Sequence, residues 1–465
     1  MIQEEYIYFI GIGGIGMSGL ARYFQAQGKQ VAGYDKTSTA LTQALEQEGI
    51  SISYIDSVES IPSFFNKNAT PQNTLIVYTP AIPKDSALLH CFTQLEYKII
   101  KRAGLVGLIS QDLYTIAIAG THGKTTTSSI VTHIAKTAGQ DPLALLGGIA
   151  ANYNTNVLIP LQPTHLIIEA DEYDRSFHTL YPDIAIITSL DPDHLDIYGT
   201  EEEVVKAFYQ FASQIKEGGY LIIHKKVLDD YPQFKQLPCC IIPYGIGNSS
   251  IAGAHIESAT PAGTYFDYCY QADIWDSMYL SYAGIHNVEN ATAAITANIL
   301  MQVTEQDCRK AMASFKGIKR RLEFILEKEN IVFVDDYAHH PTEIEALIGS
   351  VRKLYPDKKI TGIFQPHLYS RTRDFADGFA ASLSLLDSVI LLDIYPAREL
   401  PMQNITSEWL CEKIAIPNKI VTTKENLLEV LDTADLEVLL TIGAGDIDTT
   451  IQPIKNYLIK KYLFL

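Results

Sequence analysis

The sequence predicts an α/β protein of three domains in series, and three observations carry that expectation. Short apolar strands alternate with helical patterns along almost the whole chain, as parallel sheets with crossover helices require. Two glycine loops, GIGGIG at 11–16 and GTHGKTTT at 120–127, each follow an apolar strand. A further set of strands near the C-terminus ends in polar or glycine residues, the pattern of a sheet whose strand ends bear ligands. The expected domains are 1–107, Rossmann-like; 108–316, a P-loop α/β domain; and 317–465, again Rossmann-like.

Composition narrows the partners. The 465 residues are 47% hydrophobic, enough for several cores, and carry a formal net charge of −18. A nucleic-acid binder more often presents a basic face, so that partner class is excluded. The six cysteines are scattered without CxxC or zinc spacing, which reads as reduced thiols in a cytoplasmic protein. The start, MIQEEYIYFIGIGG, sets acids before a glycine-broken apolar run, unlike a signal peptide. No stretch approaches the roughly 18 apolar residues of a membrane helix, so no membrane insertion is expected.

In the first domain YIYFIGIG enters the glycine turn, MSGLARYFQAQG has helical spacing and ends on Gly28, and QVAGYD and TLIVYTPAIP are later strands. Gly11, Gly13 and Gly16 satisfy GxGxxG, and Asp35 ends the next strand about 20 residues on. In a dinucleotide fold that acid holds a ribose hydroxyl, and the helix N-terminus holds a diphosphate. NAD supplies both groups. So does any nucleotide-diphosphate sugar.

The second domain reads YTIAIAG, HLIIEAD, IAIITSLD and GYLIIHK as strands. Its glycine loop is short. The eight-residue GxxxxGK[ST] form wants a glycine at 118, where Ile118 stands. Gly120 and Gly123 still let backbone N–H groups face phosphate oxygens, Lys124 reaches terminal phosphates, and the Thr125 hydroxyl suits Mg2+. EADEYDRSF (169–177) and DPDHLDIYG (191–199) fall at the same sheet edge, where Glu169 and His194 have the donors to complete a magnesium site. Alternating aromatic and polar residues near 240–280 predict a small antiparallel excursion, and NVENATAAITANILM is a helix. Asn287 and Asn290, spaced i, i+3, share one face of it.

The third domain opens at GIKRRLEFI and continues with IVFVDDY, ITGIFQP, SVILLDIYP and VLLTIGAGD. His339 and His340 are adjacent and lack zinc spacing. FQPHLYSRTRDF sets His367 beside Arg371 and Arg373, an anion-gripping pattern.

Together GIGGIGMSGLA, AGTHGKTTT, EADE, DHLDIYG, GIHNVENATAA, IKRRLE, DDYAHHPTEI, FQPHLYSRTRD and IGAGDI resemble, in order and over nearly the whole chain, the Mur ligase family of ATP-dependent, amide-forming ligases of peptidoglycan synthesis. The resemblance implies that Gly11, Gly13, Gly14, Gly16, Met17, Ser18 and Asp35 hold the diphosphate of a UDP-sugar, which His340 also touches. It assigns ATP to Gly120, Thr121, His122, Gly123, Lys124, Thr125 and Thr126, with the base at Asn287 and Asn290 and with Arg321 and Asp336 closing on the nucleotide. Thr125, Glu169 and His194 would hold Mg2+, with Mn2+ as a substitute. Tyr337, His339 and Arg371 would line an amino-acid pocket. Lys124, Glu169, His194, Arg321 and Asp336 form the implied catalytic set. The motifs match the alanine-adding members, whose substrates are UDP-N-acetylmuramate, L-alanine and ATP.

Two features depart from the family pattern. Leu368 stands where an arginine is common, which bears on the strictness of alanine preference. Lys206 is out of register with the lysine that sister ligases carbamylate, so no carbamate is expected. Three other readings stay open: a recycling ligase that attaches a tripeptide, an NAD-dependent oxidoreductase, and a non-catalytic ATP-switched scaffold. Oligomeric state leaves no mark in the sequence.

Overall fold

Three β-sheets follow one another along the chain in the computed structural model, which describes residues 2–80, 82–83, 85–190, 198, 200–247, 251–260, 262–397 and 399–463. The segment DPDHLDIYG, and His194 with it, lies outside the described residues except for Tyr198. The chain divides into two compact units, Met1–Lys316 and Gly317–Leu465.

The first sheet comprises β1 (Tyr6–Ile10), β2 (Gln30–Tyr34), β3 (Ser51–Ser53), β4 (Thr74–Tyr78) and β5 (Lys98–Lys101), in the order β3-β2-β1-β4-β5. All its pairs are parallel. YIYFI is buried on both faces, as a central parallel strand must be. The helix Ile15–Ala26 turns Met17, Leu20, Ala21 and Phe24 into the core at helical spacing. It ends before Gly28, whose φ of +78° suits a glycine. The expected strand TLIVYTPAIP is shorter than predicted, stopping at Tyr78 ahead of Pro80 and Pro83.

The second sheet has ten strands: β6 (Tyr114–Ala119), β7 (Leu143–Ala150), β8 (Thr155–Leu158), β9 (His165–Glu169), β10 (Ile184–Ile187), β11 (Tyr220–His224), β12 (Cys240–Ile246), β13 (Ala252–Thr260), β14 (Gly263–Tyr270) and β15 (Asp273–Leu280). Their order is β15-β14-β13-β12-β11-β10-β6-β9-β7-β8, which sets β6 between β10 and β9. Ile116 and Ile118 of β6 face one core, and Ala117 and Ala119 the other. The second of these cores also takes in Ile7 and Phe9 of the first sheet. β13–β15 form the antiparallel excursion, burying Phe266 and Tyr268 and exposing Tyr265. The helices Lys124–Thr137 and Ile285–Leu300 share the core on the isoleucine face of β6.

The second unit holds β16 (Glu323–Glu327), β17 (Val332–Asp336), β18 (Ile360–Phe364), β19 (Ser388–Leu391), β20 (Lys419–Val421) and β21 (Val438–Ile442), ordered β16-β17-β21-β18-β19-β20. β16 is antiparallel to β17, so GIKRRLEFI makes an edge strand outside the parallel set. Val332 and Val334 face one core and Phe333 the other, so two helical layers cover the sheet.

Candidate active site

The register brings Ile118 beside Glu169 and Ala119 beside Ile187, so the chain leaving β6 runs between the ends of β9 and β10. The turn that follows requires glycine. Gly120 has a φ of +141°, and a Cβ there would lie 2.0 Å from Thr188 Oγ1. Gly123 has a φ of +82°, and its Cβ would lie 2.6 Å from Asn290 Oδ1. The Thr188 hydroxyl donates to the His122 carbonyl at 2.5 Å, and the His122 N–H donates to Ser189 Oγ at 2.8 Å. The Thr121 N–H donates to the Ser189 carbonyl at 3.2 Å. The loop is thus fastened along one side to the end of β10.

At the head of the next helix, Lys124 Nζ donates to the Gly120 carbonyl at 2.6 Å and to Glu172 Oε1 at 2.8 Å. The Thr125 hydroxyl donates to Glu169 Oε2 at 2.8 Å. Glu169 rests against bare backbone, since a Cβ on Gly147 would meet its Oε2 at 2.0 Å. A hydroxyl and a carboxylate are the hard oxygen donors that magnesium takes, so this pair fits that ion. Among the described residues no group of three or more His, Cys, Asp or Glu is gathered for a metal. Asn290 accepts from the Thr127 hydroxyl at 3.2 Å, and Asn287 donates to the Ala283 carbonyl at 2.6 Å. Both asparagines are buried.

The first glycine loop is braced from β2. The N–H groups of Gly11 and Ile12 donate to the Tyr34 carbonyl at 2.7 and 3.0 Å. Asp35 accepts from the Gly13 N–H at 2.8 Å and from the Thr37 N–H at 3.1 Å, one on each carboxylate oxygen. Gly14 precedes the helix Ile15–Ala26 without a side-chain cap, which leaves first-turn N–H groups for an anion. Met17 and Ser18 are each 2% exposed, and the Met17 side chain belongs to the core. Their N–H groups both donate to the Gly14 carbonyl.

In the second unit Asp336 accepts from the Leu322 N–H at 2.6 Å and the Ala338 N–H at 2.8 Å. Burial pushes its pKa up to about 6 against the pull of those bonds and of Arg321. Beside it Arg320, at φ +62°, donates to Asp335 Oδ2 at 3.1 Å and lies 5.2 Å over the Tyr337 ring. The His339 ring lies 5.4 Å from Tyr337 and 6.3 Å from His367. Burial, reinforced by the charge of Arg371, pushes the His367 pKa down to about 4 and lowers that of His339. Tyr337, His339, His367 and Arg371 are thus neighbours. His340 stands at the N-cap of the helix Pro341–Leu354, its Nδ1 bonded to Thr342 Oγ1 at 2.9 Å and its ring 4.7 Å from Phe375. Leu368 adopts a φ of +70° ahead of the helix Tyr369–Asp374. A leucine held there, next to Arg371, is local strain of the kind that functional loops keep.

Family models match this chain in the same three-part order. "Mur ligase family, catalytic domain" covers residues 6–114, "Mur ligase middle domain" 118–298, and "Mur ligase, glutamate ligase domain" 320–445. The chain belongs to the Mur ligase family. A UDP-N-acetylmuramate–L-alanine ligase of Flavobacterium johnsoniae is 46% identical over 98% of both chains. One of Parabacteroides distasonis is 45% identical over 98% of this chain and 97% of its own. Among solved structures, a UDP-N-acetylmuramate-alanine ligase of Thermotoga maritima superposes with a TM-score of 0.78 at 25% identity, covering 98% of this chain and 99% of that one. A murein peptide ligase of Psychrobacter arcticus, at 24% identity and a TM-score of 0.69 over 97% and 98%, shares the fold.

Several residues of this Mur ligase site escaped sequence reasoning. Glu172, the partner of Lys124, lay unmarked inside EADEYD. Thr188 and Ser189, which fasten the loop, follow an ordinary strand in IAIITSL. In IKRRLE the arginine bound to β17 is Arg320, next to the Arg321 singled out from the sequence. Gly147, which lies beneath Glu169, is the signal in the sequence for that packing.

Proposed function

We propose that this Mur ligase joins the amino group of L-alanine to the carboxylate of UDP-N-acetylmuramate at the expense of ATP, in the cytoplasm, as a step of peptidoglycan precursor synthesis. The observation that carries the reading is the presence of two glycine loops of different design at the carboxyl ends of parallel strands in two sheets. One is braced by an acid and leads into an uncapped helix; the other is a short lysine loop beside a hydroxyl–carboxylate pair. An oxidoreductase reading uses the first loop and leaves the second without a task. Near full-length similarity to alanine-adding relatives supports the same choice.

In this reading residues 1–107 hold the UDP-sugar, 108–316 hold ATP, and 317–465 supply the acceptor pocket. A carboxylate is a poor acyl donor. The γ-phosphoryl group of ATP therefore passes to a carboxylate oxygen, giving an acyl phosphate and ADP. The alanine nitrogen then adds to the acyl carbon and loses a proton, and the tetrahedral intermediate collapses to the amide as phosphate leaves. Lys124 stabilises charge on the transferring phosphoryl group. Thr125 and Glu169, with His194, would hold Mg2+, which supplies charge neutralisation at the phosphates. Arg371 grips the alanine carboxylate. Burial disfavours the charged form of His339 and His367 beside it.

Oxygen labelling tests this path. UDP-N-acetylmuramate carrying oxygen-18 in its carboxylate is incubated with ATP, Mg2+ and L-alanine. One labelled oxygen appears in the released phosphate if the acyl phosphate forms. Phosphate free of label would reject it.

A further inference from the structure

We infer that Arg102 is a further binding residue of the sugar-nucleotide site and that its guanidinium pairs with the diphosphate. This inference rests on the function proposed above. The register of the first sheet puts Ile10 opposite both Tyr34 and Tyr78, and Tyr78 opposite Lys101. The residues that follow, Gly11, Asp35, Thr79 and Arg102, therefore share one row at the carboxyl edge, where a parallel sheet binds its ligand. Arg102 reaches along that edge to Gly16, the last glycine of the loop. A Cβ on Gly16 would lie 2.3 Å from Arg102 Nη1 and 3.4 Å from Cζ, so the guanidinium lies directly on the backbone of the helix's first turn. The absence of a side chain at Gly16 makes this seat.

A structural arginine in this protein has a recognisable habit. Arg22, Arg175, Arg309, Arg320, Arg352 and Arg373 each hold a carboxylate. Arg102 is only partly exposed, yet among the described residues its side chain makes no hydrogen bond or ion pair. The nearby loop acid, Asp35, accepts the Gly13 and Thr37 N–H groups and makes no pair with Arg102. The loop itself offers only N–H dipoles to a group carrying two negative charges, on a chain whose net charge is −18. A planar guanidinium beside those N–H groups supplies the missing charge and two parallel hydrogen bonds. A lysine in its place keeps the charge and loses the fork.

The test is equilibrium binding of UDP, UDP-N-acetylglucosamine, UDP-N-acetylmuramate and ATP to the full chain, as wild type, Arg102→Gln and Arg102→Lys. Loss of a charged hydrogen bond predicts that Arg102→Gln weakens all three uridine nucleotides alike, by about ten- to hundredfold, while ATP is unaffected. Arg102→Lys falls between. Gly16→Ala, which fills the guanidinium's seat, weakens the same three ligands. Unchanged UDP affinity in Arg102→Gln overturns the proposal and leaves the ligase reading standing. A loss confined to UDP-N-acetylmuramate moves the contact to the muramyl carboxylate and overturns it too. An equal loss of ATP shows general damage and also counts against it. A wild-type protein that binds none of the uridine nucleotides overturns both the proposal and the reading beneath it.

Discussion

Lys124 and Glu172 form a buried ion pair beside the phosphate loop, 2.8 Å from Nζ to Oε1, with side chains 13% and 3% exposed. The same ammonium bonds the Gly120 carbonyl across the loop. Lys124→Ala removes the cation of this buried pair and, in the function proposed above, the contact to the ATP phosphates. Ligation should be abolished, and the first unit should lose about 3–5 kcal/mol of stability. Adding Glu172→Gln should restore most of the stability and none of the activity. UDP-N-acetylmuramate affinity, measured by calorimetry, should stay unchanged, because that ligand is assigned to the other loop.

Gly120→Ala tests the loop's backbone. The new Cβ would meet Thr188 Oγ1 at 2.0 Å and the Ser189 nitrogen at 2.9 Å, at a φ of +141°. The loop must shift from the end of β10, and ATP affinity should fall at least about tenfold. Gly104→Ala has nothing within 4 Å. It should leave ATP binding alone and raise stability by about 0.5–1 kcal/mol. Titration of ATP into each variant, with a thermal melt alongside, checks both.

His133 gives a pH signature. It is 6% exposed, with Nδ1 2.8 Å from Tyr153 Oη and Nε2 3.0 Å from Ser314 Oγ. Burial pushes its pKa from 6.5 down to about 4, so the folded state prefers the neutral ring. The unfolded chain then binds more protons between those values. The contribution of about 3 kcal/mol is complete above pH 6.5 and is lost as the pH falls toward 4. His133→Gln should flatten that slope. The chain's two tryptophans divide between the units, Trp275 in the first and Trp409 in the second. In a Trp409→Phe background, Trp275 fluorescence follows the unit that contains His133.

The fold was legible where a single physical rule governs. Strands buried on both faces read as apolar runs, and the two loops carry glycine where φ is positive, at Gly11, Gly120 and Gly123, so β1, β6 and both loops stand out in the sequence. The edges read less well. β8 and β16 run antiparallel beside parallel strands, and neither YNTNVL nor RLEFI announces a direction. In the site, sequence reasoning singled out residues by pattern, Lys124 and Thr125 among them, and the structure sets both at the head of one helix beside Glu169 and Glu172. Sequence reasoning missed those that act through a tertiary contact. Nothing local marks Glu172 as the partner of a lysine 48 residues away. Asp35 was read as a ribose ligand, and the structure adds that it braces Gly13, a bond that spans 22 residues.

Acceptor binding should depend on Arg371. Its guanidinium makes no hydrogen bond or ion pair among the described residues and lies beside His339 and His367. L-alanine has few atoms, so its carboxylate must provide much of its affinity. Arg371→Lys keeps the charge and loses the bidentate geometry, so the KM for alanine should rise about tenfold or more while that for ATP holds. Steady-state phosphate release at saturating ATP and UDP-N-acetylmuramate gives both constants. A change in the ATP constant alone would assign Arg371 to the phosphates.

The central claim, that this Mur ligase adds alanine, is tested most directly by measuring phosphate release and product mass across a panel of acceptors with UDP-N-acetylmuramate and ATP. The panel holds L-alanine, glycine, L-serine, D-alanine and the tripeptide of the recycling reaction. The account predicts fastest release with L-alanine and a product heavier by one alanyl residue. Glycine and L-serine should react more slowly but detectably, since a methyl group is worth only about 1–3 kcal/mol of discrimination. Turnover with the tripeptide and none with L-alanine would contradict it.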